Sequence, residues 1–182
     1  MLFRSALADP LFLITDQKLS SPNDIVATRE MVIAEGQRPL VVIAEDVDGE
    51  ALATLVVNKM RGTLGCVAIK APGFGERRKA LLEDMAILTG STVISSDVGL
   101  RLDSVEMSHL GSARRLVAMK DDSTIIDGRG SEDAVKDRAE QLKVQIEETT
   151  SDYDREKLEE RLASLVRSEE HTSELQSRAY LV

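Results

Sequence analysis

Three carboxylates follow an apolar run in PLVVIAEDVDGE: Glu45, Asp46 and Asp48. Open α/β sheets build their sites beyond the carboxyl ends of strands, and oxygen ligands of this kind hold Mg²⁺ in phosphoryl-transfer enzymes. Further on, Gly73, Phe74 and Gly75 in APGFGERRK precede a helical stretch, where glycines let backbone N–H groups approach a phosphate. Together these features define one reading, a small α/β phosphate- or metal-dependent enzyme. Both signals are generic. The glycines lack the spacing of a phosphate loop or a dinucleotide fingerprint, and a tight strand-to-helix turn, the preferred account, needs the same residues. Likewise Asp48 is preferred as a helix cap, with Glu45 and Asp46 as solvated loop charges. His109 has neither a Cys partner nor a charge relay and reads as a loop residue; no nucleophile and base stand at a recognisable spacing. No catalytic residue and no metal ligand is assigned.

Composition narrows the partners. With 23 Lys and Arg against 32 Asp and Glu, the 182-residue chain carries a net charge of -9. Nucleic acid and anionic lipid are bound through clustered Lys and Arg, so neither is an expected partner. Cys66 stands alone in the apolar run CVAIKAP; that excludes a disulfide framework and suits a small buried residue in a reducing compartment. No run approaches the roughly 18 apolar residues of a membrane span, and no signal peptide is evident, so a soluble cytosolic protein is expected. Three Phe, two Tyr and no Trp mean that Leu, Val, Ile, Ala and Met must build the core.

The elements that would position these residues alternate. Residues 11–15 (LFLIT) form an apolar run; Ser20, Ser21 and Pro22 start a helix that ends at Gly36; Pro39 to Glu45 is a strand buried on both faces. A helix closed by Gly62 follows, then a strand over Cys66 to Lys70, a helix near Glu76 to Thr89 capped by Gly90, and a strand over Thr92 to Ser95. Strands and helices alternating at this spacing predict βαβ crossovers and a mixed, mostly parallel sheet flanked by helices. ARRLVAMK and STIIDG predict an adjacent antiparallel pair around Asp121 and Asp122. From Ser131 two helices, each opened by Ser and acidic residues, predict a C-terminal helical hairpin against the sheet.

One helix carries more apolar surface than a single buried face requires. In EDVDGEALATLVVNKMRG, residues Ala51, Leu52, Ala53, Leu55, Val56, Val57 and Met60 cover about two thirds of the helical wheel. The excess is either buried between the sheet and a neighbouring helix or exposed as a partner surface; periodicity leaves both open. The preceding helix, with Ile25, Val26, Met31, Val32 and Ile33, also exceeds one stripe, so the two make a paired-helix groove plausible.

The ends share no periodicity with the middle. Leu2-Phe3-Arg4-Ser5 can be encoded CTC TTC CGA TCT, whose reverse complement, AGA TCG GAA GAG, encodes the Arg-Ser-Glu-Glu of Arg167 to Glu170. Both ends resemble translated sequencing-library adapter. Residues 1–5 and 167–182 are read as such scars, His171 carrying no functional weight, and the native segment as Ala6 to Val166.

Within that segment, PLVVIAEDVDGEALATLVVNKMRG, VAIKAPGFGERRKALLEDMAILTGSTVIS, STIIDGRG and TSDYDREKLEERLASL resemble the apical domain of the group I chaperonins of bacteria and mitochondria, in order and nearly without gaps. The resemblance implies a compact α/β domain that captures non-native polypeptides on an apolar two-helix groove. After ATP-driven motion of the ring, the same groove binds the mobile loop of the co-chaperonin lid. By motif, Leu52, Val56 and Val57, with Asn58 alongside, match groove positions of the second helix, while Ala51 and Leu55 are left to the core. Val26 matches a groove position of the first helix; Arg29 falls where the family carries an aliphatic residue, and Ile25, Val32 and Ile33 are further groove candidates. The family's aromatic-rich edge segment, most of its hinge and its equatorial domain, which holds ATP and Mg²⁺, have no counterpart here. The resemblance therefore implies a cofactor-free, monomeric fragment that neither hydrolyses ATP nor forms a ring, from a bacterial cytoplasm in preference to a mitochondrial matrix.

Overall fold

The computed structural model describes residues 4–119, 122–169, 172–175 and 179–180. A first strand, β1 (Arg4–Ala8), turns at Asp9 into β2 (Leu11–Thr15), whose residues are all buried. A short β3 (Lys18–Leu19) leads to α1 (Asn23–Ala34), then β4 (Leu40–Ala44), a short β5 (Asp46–Val47) and α2 (Gly49–Met60). There follow β6 (Cys66–Lys70), α3 (Gly75–Thr89) and β7 (Val93–Ile94). The helices α1, α2 and α3 and the strands β4, β6 and β7 are those that the hydrophobic pattern predicts, displaced by a residue or two at their ends; the apolar run LFLIT is a strand, and β1, β3 and β5 are additions.

Strand alternation divides the apolar residues between two layers. Leu11, Leu13, Leu40, Val42, Ala44, Cys66 and Ala68 form one cluster with Ile25 and Val32 of α1 and Ala51 and Leu55 of α2. Their neighbours Phe12, Ile14, Val41, Ile43, Val67 and Ile69 form another with Leu82, Met85 and Ala86 of α3. With period 2 and both faces covered, every strand position must be apolar, which accounts for the unbroken runs LFLIT, LVVIA and CVAI.

The two layers follow from handedness. Strands β2, β4 and β6 pair in parallel in that spatial order, so the crossovers through α1 and α2 advance across the sheet and share one face. From β6 the chain returns to pair β7 in parallel with β2; a right-handed crossover travelling back places α3 on the other face. Three 3-10 turns between residues 96 and 109 then lead to β8 (Gly111–Met119) and β9 (Ser123–Gly128), the expected antiparallel hairpin. Asp121 lies outside the described residues. β8 also pairs antiparallel with β1 and β2, so the sheet is mixed, with a parallel centre and an antiparallel wing.

The C-terminal helices α4 (Glu132–Glu148) and α5 (Asp152–Glu169) form the expected hairpin. It rests on α3, with α5 also reaching β9. The expected packing against the sheet holds at β9, and α3 supplies the rest of the seat. Leu88 of α3 meets Val135, Leu142 and Leu165, with Ile87, Leu158 and Leu162 around them. Beneath this small core, Asp84 of α3 accepts from Arg138 Nε at 2.8 Å and from Arg161 Nε at 2.7 Å, so one carboxylate holds both helices. The motif STIIDGRG ends against the last turn of α3: Gly130 N donates to Leu88 O at 3.0 Å. A Cβ on Gly128 or Gly130 would overlap the Leu88 and Ile87 carbonyl oxygens. Only glycine permits that approach. At the C terminus, β10 (Thr172–Leu175) pairs with β9 and β11 (Ala179–Tyr180) with β6, both antiparallel; His171 lies outside the described residues.

Candidate functional site: the paired helices

A two-residue ribbon sets α1 and α2 side by side. β3 pairs in parallel with β5, and each strand leads into its helix, across Ser20 to Pro22 for α1 and across Asp48 for α2. Asp48 N donates to Leu19 O at 3.0 Å and Ala51 N to Ser20 O at 3.1 Å, so the first turn of α2 hangs from the chain that opens α1. Gly49, at φ +53°, makes this possible: a Cβ there would stand 3.3 Å from Ser20 O in a backbone conformation that L residues rarely adopt. Asp24 of α1 accepts from Ser20 N at 3.0 Å and Ser21 N at 2.9 Å. Asp48 occupies the N-cap position of α2 but makes no cap hydrogen bond. Its carboxylate instead bonds Ser20 Oγ at 2.8 Å and pairs with Lys18 at 2.5 Å. Those bonds hold Asp48 below the ordinary carboxylate range and raise Lys18, each group favouring the charge of the other.

The buried rows of the two helices are narrow. On α1 they are Ile25, Thr28 and Val32; on α2 they are Ala51, Leu55 and Asn58, spacings of three and four that keep one face toward the strands. Ala51 and Leu55 thus face the core, as expected. Ile25 and Val32 are corrected: at 0% exposure they anchor α1 and present nothing to a ligand. Asn58 is also withdrawn from the surface. Its Nδ2 donates to Thr54 O at 2.7 Å and its own carbonyl accepts from Thr63 N at 3.0 Å, closing the end of the helix.

What the core leaves over lies on the flanks. Val26, Arg29 and Ile33 of α1 and Leu52 and Val56 of α2 are half-buried, Val57 is 43% exposed and Met60 82%. Met60 is missing from the sequence-derived candidates, although its spacing of four from Val56 signals the same flank. Leu52 and Met31 pack partly onto the core cluster, so the flanks are held from below. α1 and α2 touch, and the pair presents an aliphatic surface interrupted by Arg29.

The acidic loop and the glycine turn do meet, through a guanidinium. Arg78 Nη1 pairs with Glu45 at 2.6 Å, while its Nε and Nη2 donate to Gly73 O at 3.1 and 3.0 Å. Asp46 pairs with Lys70 at 3.7 Å and Asp48 with Lys18, so the three carboxylates answer to three different cations. Among the described residues, no group of three or more His, Cys, Asp and Glu is placed to hold a metal ion. Phe74 stands 84% exposed between its glycines. His109 Nδ1 accepts from Glu106 N at 3.1 Å, closing a 3-10 turn. No described helix is long and apolar enough to cross a membrane. No family model matches the chain.

Proposed function

We propose that the paired helices form the polypeptide-binding groove of a group I chaperonin apical domain, taking apolar segments of non-native proteins and the mobile loop of the co-chaperonin lid. One observation carries the reading: Leu52, Val56, Val57 and Met60 on α2, beside Val26 and Ile33 on α1, form an aliphatic surface that the core leaves uncovered. Apolar area held open on rigid elements marks a partner surface. The motifs shared with the chaperonin family, the α/β fold and the seating of Ala51 and Leu55 in the core support the assignment.

The physics of such a groove explains its use. Covering one Leu or Val contributes about 1.5–3 kcal/mol at most, and ordering the ligand offsets much of it. Contact of this kind has no direction, so it accepts many sequences. It stays weak for one domain and becomes tight when a ring presents many copies.

The test is titration of a fluorescent unfolded protein and of a lid-loop peptide with this chain and with Leu52→Glu, Val56→Glu and Val57→Glu. Binding should be weak in the parent and lost in the variants; binding that survives all three sinks the groove assignment. Specific binding and turnover of ATP with Mg²⁺ would instead revive the enzyme reading at Glu45, Asp46, Asp48 and the Gly73-Phe74-Gly75 turn.

A further inference from the structure

Arg29 is a polar point on the α1 flank of the groove. It follows Val26 by three residues and precedes Ile33 by four, so the helical repeat sets all three on one side of α1. Its side chain is only 28% exposed, and its Nε is shut off from solvent without a hydrogen-bond partner. The ion pair it makes among the described residues is long, Nη2 to Glu30 Oε1 at 3.9 Å, and Glu30 is itself 68% exposed. Nε lies out of a ligand's reach, but the rest of the guanidinium is held only by that long ion pair, so a carboxylate arriving at its Nη groups gains a charge-assisted hydrogen bond. The fork of N–H groups matches a carboxylate.

The surroundings define the rest of that ligand. Val26, Ile33, Leu52, Val56 and Val57 reward an aliphatic segment and offer no second cation. The net charge of -9 opposes acidic ligands at long range, but salt screens that field within about 8–10 Å, so the contact at Arg29 decides. We propose that Arg29 makes the groove selective for apolar polypeptide segments bearing one Asp or Glu in register with it, over equally apolar neutral segments. This inference rests on the groove reading above.

The test is fluorescence anisotropy with two labelled apolar peptides that differ only in a single Glu or Gln, titrated with the full chain, Arg29→Leu, Arg29→Lys and Val57→Glu. The parent chain should bind the Glu peptide about tenfold more tightly, the effect of a hydrogen bond to a charged group. Arg29→Leu should abolish the preference while still binding the Gln peptide, and Arg29→Lys should keep part of it, because an ammonium lacks the planar fork. Equal binding of both peptides by the parent, abolished by Val57→Glu, leaves the groove standing and overturns the role of Arg29; so does a preference that persists in Arg29→Leu. Failure of the parent to bind either peptide overturns the groove reading itself.

Discussion

Cys66 shows how much one residue's chemistry depends on where its strand is buried. It lies fully buried in β6, its thiol donating to Leu55 O at 3.4 Å. Loss of water around it disfavours the thiolate and pushes its pKa from the ordinary 9.0 to about 11. The sign follows from linkage: an unfolded thiol loses its proton first, so the native state holds more protons between these values. The stabilisation from neutral Cys66 is complete below pH 9.0 and disappears as the pH rises through about 11. Urea midpoints measured across that interval should fall more steeply for the parent than for Cys66→Ala; parallel slopes would refute the assignment. At neutral pH a thiol reagent should react only after unfolding, since the nucleophile is the thiolate.

Among the elements, α3 bears the most, because the strands lie on one side of it and the helical hairpin on the other. Asp84, whose side chain is 8% exposed, faces Arg138 at 15% and Arg161 at 13%. Removing one partner of a buried ionic group leaves charge without compensation and costs about 3–5 kcal/mol. Asp84→Ala should therefore destabilise the fold by that amount in urea unfolding. Replacing Arg138 and Arg161 by Met in the same chain should recover much of the loss. A change below about 1 kcal/mol for Asp84→Ala would show that the small apolar cluster around Leu88, Leu142 and Leu165 holds the hairpin unaided.

For the whole molecule, the decisive contrast is between two residues of α2 that stand two positions apart. Leu55 is 1% exposed and Val57 43%. Leu55→Ala opens a cavity in the layer under α1 and α2 and should cost about 2–5 kcal/mol. Val57→Glu should stay within about 0.5 kcal/mol of the parent while weakening ligand binding. Denaturant midpoints beside the binding titration separate the two effects. Loss of stability in Val57→Glu comparable to that in Leu55→Ala would mean that the flank supports the fold and is no docking surface.

The chain by itself determined its five helices, its central strands and their order, because periods of 2 and 3.6, glycines at helix ends and serines before acidic turns are local properties. LVVIA reads as a strand covered on both faces and CVAIK as a strand, whereas periodicity leaves the apolar faces of α2 undivided, and it is the family resemblance that assigns Ala51 and Leu55 to the core and Val57 to the groove. Tertiary structure decided the rest. Ile25 and Val32 look like groove residues until the strands beneath α1 bury them, and Asn58 looks available until the end of α2 claims its amide. Glu45, Asp46 and Asp48 are a cluster in sequence, but each is claimed by its own cation, since Arg78, Lys70 and Lys18 arrive from three other elements. The hairpin is seated on both α3 and the antiparallel edge of the sheet, because a right-handed return crossover had brought α3 to that face. Residue spacing specifies which side of a helix a group lies on, whereas its exposure depends on partners brought from far along the chain.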